Sequence, residues 1–308
     1  MSGLENDIAA VLALVRVELP ELRVAGLLAR SLKCQVIAAS LGDRPVVLKW
    51  LARPDALWSW YFERERRLLA ALAASGEREV GPELLASGPR WMVLERLGGA
   101  ALAAGRFARY ADVRAVTATL AARRRLARAK ISWPTLAPDD ATRAEMRARL
   151  LEDPSDGLGW CLAGLRRGAG LGLIDGAGAA LAITALERWP TLAGSHGDLL
   201  PRNVIVDAGA ARLVDLECAG EHPEAWDHAL LWANVPAAGR RAIAADFGVD
   251  AGPRGAAFWA CVVFALVREL KFARGRRLAD ELRETLDDAV GALRACSLGV
   301  SRYRPGPS

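Results

Sequence analysis

Two aspartates and an asparagine in fixed order are the residues of this chain best suited to do chemistry. Asp198 and Asn203 lie in the run Ser195-His196-Gly197-Asp198-Leu199-Leu200-Pro201-Arg202-Asn203, and Asp215 closes Arg212-Leu213-Val214. The D-x-x-x-x-N spacing of Asp198 and Asn203 is that of a phosphoryl-transfer catalytic loop. Moving a phosphoryl group to a hydroxyl asks three things of a protein: a carboxylate to orient the hydroxyl and accept its proton, oxygen ligands that hold magnesium against the phosphates, and a cation that steadies the phosphates left behind. Magnesium takes one or two oxygens from protein and the rest from phosphate and water. Asn203 with Asp215 meets that need and leaves Asp198 as the base. A lone Asp or Asn near a turn is ordinarily a cap or turn former. Here the order, with His196-Gly197 in front and a strand-turn-strand between Asn203 and Asp215, favours function over that reading.

The steadying cation is expected from the chain N-terminal to this run. Lys49 interrupts the apolar strand Val46-Val47-Leu48-Lys49-Trp50-Leu51. A lysine buried there needs a counter-charge, unless it snorkels from an edge strand. The following helix offers Glu63 and Glu65. Glu65 shares a helical face with Tyr61, Leu68, Leu69 and Leu72 and so points toward the sheet, whereas Glu63 has Arg66 and Arg67 at i+3 and i+4. The expected ion pair is Lys49–Glu65.

The elements that must hold these residues fall into two groups. Helical spacing over residues 4–19 opens the chain. Short apolar runs at 32–39 and 44–51, joined by Ser40-Leu41-Gly42-Asp43, suit a hairpin. A helix over 56–74, a break at Gly81-Pro82 and strand-like runs at 84–86 and 91–94 complete a small unit ending at Gly98-Gly99. Helical patterns dominate afterwards, with one β-like interruption at 204–206 and 212–214 and a further helical stretch from 226 to about 295. The fold class is therefore α+β: a two-lobed arrangement with a small antiparallel-sheet lobe over residues 1–97 and a larger, mostly helical lobe over 98–308 that contains the catalytic loop. Clefts between lobes are where small-molecule sites tend to lie.

Composition bounds the alternatives. Hydrophobic residues make up 52% of the 308 and charged residues 25%, ordinary for a folded soluble protein. No run of eighteen uncharged apolar residues is present, and Glu5 and Asp7 precede the first apolar stretch, so neither membrane association nor a signal peptide is expected and a cytoplasmic location is the default. Five scattered cysteines argue against a disulfide framework or zinc site. The net charge is +5, and lysine occurs only at 33, 49, 130 and 271, so arginine supplies nearly all of the 41 cationic side chains. The densest basic stretch, residues 123–130, reads as a solvated helix face, not a nucleic-acid surface. His222 and His228 lack neighbours at ligand spacing.

Taken together, Ser195-His196-Gly197-Asp198, Asn203-Val204-Ile205-Val206, Leu213-Val214-Asp215-Leu216-Glu217 and Trp226-Asp227-His228-Ala229-Leu230 resemble the aminoglycoside phosphotransferase and choline-kinase branch of the protein-kinase-like superfamily. The resemblance covers most of the chain in order, though only these stretches are specific. It implies ATP and Mg2+ as cofactors, Asp198 as catalytic base, Asn203 and Asp215 as metal ligands and Lys49 on the α- and β-phosphates. It also implies a hinge at Met92–Leu97, with backbone groups near Glu95 and Leu97 for adenine, and Asp227 bracing the catalytic loop. His196 is read as structural. One departure concerns the phosphate-covering loop, which should be rich in glycine or serine. Residues 29–34 (Ala-Arg-Ser-Leu-Lys-Cys) hold no glycine, and Ser31 and Lys33 are the candidates there for phosphate contact.

A small-molecule hydroxyl is the expected acceptor. Leu200 stands where protein kinases carry a lysine, and only about ten residues separate Asp215 from the helix at Trp226, too few for an activation segment. An antibiotic such as an aminoglycoside would need acidic walls, for which Glu217, Glu221, Glu224 and the acids of 280–288 are available, although the latter alternate with arginines as a solvated face would. The alternatives are a kinase of Ser/Thr in a natural-product precursor peptide and a nucleotide-binding module with little turnover.

Overall fold

The computed structural model describes residues 11–108, 110–133, 138–149, 157–273 and 275–298. A helix, α1, spans residues 11–18; the part of the expected opening helix before residue 11 lies outside the described residues. It buries Val11 and Val15 against one face of a five-stranded antiparallel sheet. That sheet runs β1 (Leu22–Arg30), β2 (Cys34–Leu41), β3 (Arg44–Leu51), β5 (Trp91–Glu95), β4 (Leu84–Gly88) in spatial order. β3 is interior: Lys49 pairs with Val36 on one side and Met92 on the other. It therefore has no edge from which to snorkel and must find its partner within the protein. The other face is covered by α2 (Ala56–Ser75), which Asp55 caps by accepting the Trp58 N–H at 3.0 Å and which Gly76 ends in the left-handed conformation.

β1 is absent from the sequence-based strand assignment. Beyond Leu22 its side chains are half or fully exposed, and Gly26 and two bulges interrupt it, so it shows no apolar alternation.

After β6 (Ala100–Ala101) the chain is mainly helical: α3 (Val113–Arg128), α4 (Asp140–Arg149), α5 (Gly157–Gly170), α6 (Gly176–Glu187), α7 (Trp226–Ala233), α8 (Ala237–Phe247), α9 (Pro253–Leu270) and α10 (Arg276–Ser297). α9 is the centre of this part. Residues 255–267 are buried on every side, as expected of an apolar helix surrounded by others, here α5, α6, α7 and α10. Its C-terminal turn, Arg268-Glu269, emerges beside the catalytic loop.

The expected interruption forms as β8 (Val204–Asp207) and β9 (Ala210–Leu213), with β6 alongside, but it is not the only one. β7 (Thr191–Ser195) and β10 (Gly220–Pro223) pair antiparallel on either side of the catalytic loop. Their glycines, proline and histidine give them little intrinsic strand character. Tertiary pairing makes them strands.

Nor is residues 123–130 a solvated face at its start. Arg123 is 6% exposed and lies under α7, Arg125 donates to the Ala211 carbonyl at 3.0 Å, and Arg124 pairs with Asp246. No helix among the described residues is long and apolar enough to cross a membrane.

Candidate active site

The chain leaves β7 at Ser195, passes through residues 196–200 and enters a 3-10 turn, Pro201–Asn203, that leads into β8. The loop is fastened from three directions. Asp227, fully buried in the first turn of α7, accepts the His196 N–H at 2.8 Å and the Gly197 N–H at 3.0 Å. The indole of Trp226 donates to the Gly197 carbonyl at 2.8 Å. His196 accepts the Asp198 N–H on Nδ1 at 3.3 Å, which leaves Nε2 to donate to the Val214 carbonyl at 3.0 Å. It is a structural strut between the catalytic loop and the segment before Asp215. Gly197 has a positive φ of 78°, and a Cβ there would lie 2.2 Å from the Cys218 carbonyl oxygen and 2.6 Å from His222 Nε2. Gly197→Ala is expected to destabilise the fold by about 1–3 kcal/mol from backbone strain alone, read as a fall in melting temperature, with transfer activity falling further because the loop must shift.

Asp198 has partners on both carboxylate oxygens. Arg268 Nη2 donates to Oδ1 at 2.5 Å; Asn203 Nδ2 donates to Oδ2 at 3.2 Å and to the Asp198 carbonyl at 2.9 Å; Arg202 lies 3.7 Å from Oδ2. Burial raises the carboxyl's pKa, but the charge and hydrogen bond of Arg268, helped by Arg106 and Arg202, outweigh it and hold Asp198 below the usual carboxylate range. It is an ionised acceptor-only group at neutral pH, the state a general base needs. The Asn203 amide nitrogen is committed to Asp198, which leaves the amide oxygen available to a cation.

Asp215 follows β9 in the left-handed conformation, φ 62°, uncommon for a residue other than glycine and suggestive of a functional constraint. The Val214 N–H bonds the Asn203 carbonyl at 2.9 Å, so the two expected metal ligands are joined through the backbone. Lys49 Nζ sits 2.5 Å from Glu65 and 2.7 Å from Asp215. Glu63 turns instead to Arg66 and Arg67. Lys49 is held well above its ordinary pKa: burial opposes this, and Asp215 with Glu65 prevails. Asp215 is driven far below the carboxylate range against its own burial by Lys33 and Lys49.

Lys33 reaches from the glycine-free loop into this cluster and pairs with Glu217. The Ser31 hydroxyl is engaged within the loop, donating to the Cys34 carbonyl at 3.1 Å and accepting the Lys33 and Cys34 amides. Glu217, expected at the mouth of an acceptor pocket, lies in the Lys33–Lys49–Asp215 cluster, and burial and Asp215 push its pKa up to about 7. Carboxylate oxygens of Glu65, Asp215 and Glu217 lie within 4.8 Å of one another, a set able to hold a cation. With hard oxygen donors only, and Asn203 tied alongside, the donor chemistry fits magnesium.

At the expected hinge, the N–H and carboxylate of Glu95 have partners within the chain. Its N–H donates to the Glu83 carbonyl at 2.9 Å, and its carboxylate pairs with Arg212 at 2.7 Å and accepts the Glu83 N–H. Leu97 lies beyond the end of β5 with no turn or loop backbone hydrogen bond to the described residues.

Four of the acids expected to wall a cationic acceptor are engaged elsewhere. Glu224 accepts from Trp189 and Arg254, Glu221 from Thr191, and Asp280 and Glu281 pair with Arg276, Arg277 and Arg283 along α10. His222 bonds the Cys218 carbonyl and His228 bonds Asp246. What motif reading missed is the arginine side of the site. Arg202 lies inside the catalytic run, where adjacency was a signal. Arg106 and Arg268 belong to no motif and arrive by tertiary packing.

An antiparallel sheet with a helix on each face, joined to a helical body that presents Asp198, Asn203 and Asp215 to the sheet's lysine, is the protein-kinase-like phosphotransferase fold. The chain belongs to the phosphotransferase enzyme family, whose sequence profile it matches over residues 38–260. No curated protein sequence matches it significantly. Solved structures share the fold at low identity. The GDP and kanamycin complex of APH(2")-IIia has a TM-score of 0.59 at 16% identity, covering 92% of this chain and 98% of that one. Macrolide 2'-phosphotransferase MphH from Brachybacterium faecium gives 0.53 at 19% identity, covering 96% and 100%. Plasmodium vivax ethanolamine kinase gives 0.52 at 12% identity, covering 87% and 82%. The chain is a phosphotransferase by family.

Proposed function

We propose that this protein transfers the γ-phosphate of ATP, with Mg2+, to a hydroxyl of a small molecule. The observation that carries the reading is the convergence of Asp198, Asn203, Asp215 and Lys49, from three separate stretches of chain, through hydrogen bonds between their side chains and adjoining backbone. Asp198 orients the acceptor hydroxyl and takes its proton as the new O–P bond forms and the bond to the β-phosphate oxygen breaks. Lys49, fixed by Glu65, faces the phosphates not transferred. Asp215 and the Asn203 amide oxygen, with Glu217 at hand, would hold magnesium, which neutralises charge on the β- and γ-phosphates when bound. Residues 1–97 serve as the nucleotide lobe, the Leu97 backbone being the hinge contact for adenine, and residues 98–308 present the acceptor. Arg202, close to Asp198 and only partly buried, is placed to meet the transferred phosphate.

Lys33 occupies the place of a cation in the Asp215–Glu217 cluster, so nucleotide with magnesium should displace it and open the loop. The first test is binding. ATP with Mg2+ at a hundredfold excess over Kd is expected to stabilise the protein by about 2.7 kcal/mol, read as a rise in melting temperature that EDTA reverses. No stabilisation by any nucleoside triphosphate would sink the reading. A screen of ATP-dependent transfer across aminoglycosides, macrolides, amino alcohols, sugars and a leader-bearing peptide then separates an antibiotic-modifying enzyme from other acceptors. The structures of similar fold include proteins named for both antibiotic and ethanolamine phosphorylation. Their substrates do not choose between classes for this chain.

A further inference from the structure

Each Asp198 carboxylate oxygen accepts one hydrogen bond and keeps a lone pair for another, so an acceptor hydroxyl competes most directly with the neighbour that stands closest. Asn203 is the least movable, because its Nδ2 is also bonded to the Asp198 carbonyl. Arg202 stands at 3.7 Å with 41% of its side chain exposed and already leaves room. That leaves Arg268, whose Nη2 occupies Oδ1 at 2.5 Å.

Arg268 is poorly placed to be released into water. Its side chain is 15% exposed, its guanidinium lies over the rings of Trp160 (5.3 Å) and Trp226 (5.9 Å), and its Nη1 is buried with no hydrogen-bond partner. A buried guanidinium without an acceptor is costly. The neighbouring carboxylate, Glu269, is 4.0 Å from Arg268 Nε, but Arg106 holds both of its oxygens, at 2.6 and 2.7 Å, while resting on Phe272. Arg268 can let go of Asp198 only if something anionic takes its place. Resting on the reading of Asp198 as the base, the geometry points to an acceptor that carries a carboxylate or phosphate beside its reactive hydroxyl, bound by the Arg268 fork.

Such an anion satisfies Nη1 and Nη2 together, in the bidentate geometry that suits guanidinium. Its arrival frees Oδ1 of Asp198 for the hydroxyl, so acceptor binding and unmasking of the base are one event. A neutral alcohol leaves the ion pair intact, with Arg268 still drawing on the lone pairs of Oδ1. A cationic acceptor meets Arg106, Arg202 and Arg268 around Asp198, which Arg268 and Asn203 already hold, while Glu269, Glu221 and Glu224 are engaged within the chain.

The test uses the full chain with ATP and Mg2+ and acceptors matched in shape: glycerate and glycerol 3-phosphate against glycerol, and glucuronate and glucose 6-phosphate against glucose, glucosamine and kanamycin. At least one anion is expected to exceed its neutral counterpart in phosphate transfer by about tenfold or more, the worth of a hydrogen bond to a charged group. In Arg268→Gln that preference should vanish through a raised KM for the anion with an unchanged Kd for ATP–Mg2+; Arg268→Lys, which keeps charge but not the fork, should fall between. A second readout needs no turnover. With ADP present, glycerate or glycerol 3-phosphate should raise the melting temperature of the wild type and not of Arg268→Gln. The two arms also tell whether carboxylate or phosphate is the preferred anion. Transfer to glucosamine or kanamycin ahead of the acids overturns the proposal, as does equal stabilisation of wild type and variant by every anion. A wild type that binds no nucleotide would overturn the kinase reading instead.

Discussion

Asp198→Asn is expected to cut phosphate transfer by about 10²–10⁴-fold, the range for losing a positioned general base, with the Kd for ATP–Mg2+ little changed. Asparagine keeps the shape of the side chain and can still meet Asn203, so the variant isolates the loss of charge and basicity. It also leaves Arg268 beside a neutral amide. The wild-type pair is mostly buried, so the variant should lose stability as well as rate, and the two are separated by measuring kcat below the melting transition. The pH dependence has a defined sign. Arg268 depresses the folded-state pKa of Asp198 below its unfolded value of about 3.9. The stability this contributes is present above the unfolded pKa and lost as pH falls through the folded value. Acid unfolding of Asp198→Asn should lack that component. Transfer within tenfold of wild type in Asp198→Asn would remove Asp198 from the base's role and with it the proposed mechanism.

The contrast between Asp198 and Arg268 shows what was legible in the sequence. Asp198, Asn203, Asp215 and Lys49 each sit in short motifs whose chemistry depends on local spacing, and the Lys49–Glu65 contact follows from which face of one helix meets one strand. Helix α2 and strands β3, β5, β8 and β9 were readable for the same reason: strong periodicity between clear turn signals. Arg268 is seventy residues from Asp198, on a helix whose apolar character says only that it is buried. No periodicity tells which side chain its last turn will deliver, or where. Glu217 was visible as an acid after Asp215 but not as Lys33's partner, because that contact depends on how the glycine-free loop folds down. The strands β7 and β10 escaped for a related reason: what makes them strands is each other.

The brace beneath the loop offers the sharpest test of how the site is positioned. Asp227 touches no reacting atom in the proposed mechanism, yet its two oxygens hold the His196 and Gly197 amides that set the direction of Asp198. Arg123 stands 3.6 Å from Asp227 Oδ2, too far for a good hydrogen bond but close enough to balance its charge in a site both side chains share out of water. Asp227→Ala leaves two buried amide donors without partners and one buried guanidinium, which still donates to the Glu224 carbonyl, without its counter-charge. Breaking a buried charged contact in this way costs about 3–5 kcal/mol. The same change lets the loop drift, and a misplacement of about 1 Å is worth on the order of a hundredfold in rate. Asp227→Asn should recover little, because an amide can accept from one of the two N–H groups while turning its own NH2 toward the other. Removing Arg123 as well relieves the unpaired cation, so Asp227→Ala with Arg123→Met should be less destabilised than the sum of the single changes, by about 0.5–3 kcal/mol. That coupling distinguishes a charge-balanced brace from an aspartate that merely begins a helix, since the helix dipole alone is worth no more than about 2 kcal/mol and would not couple to Arg123. An additive double variant, or an Asp227→Ala protein that keeps wild-type kcat, would show that the catalytic loop is held by Trp226 and His196 without it.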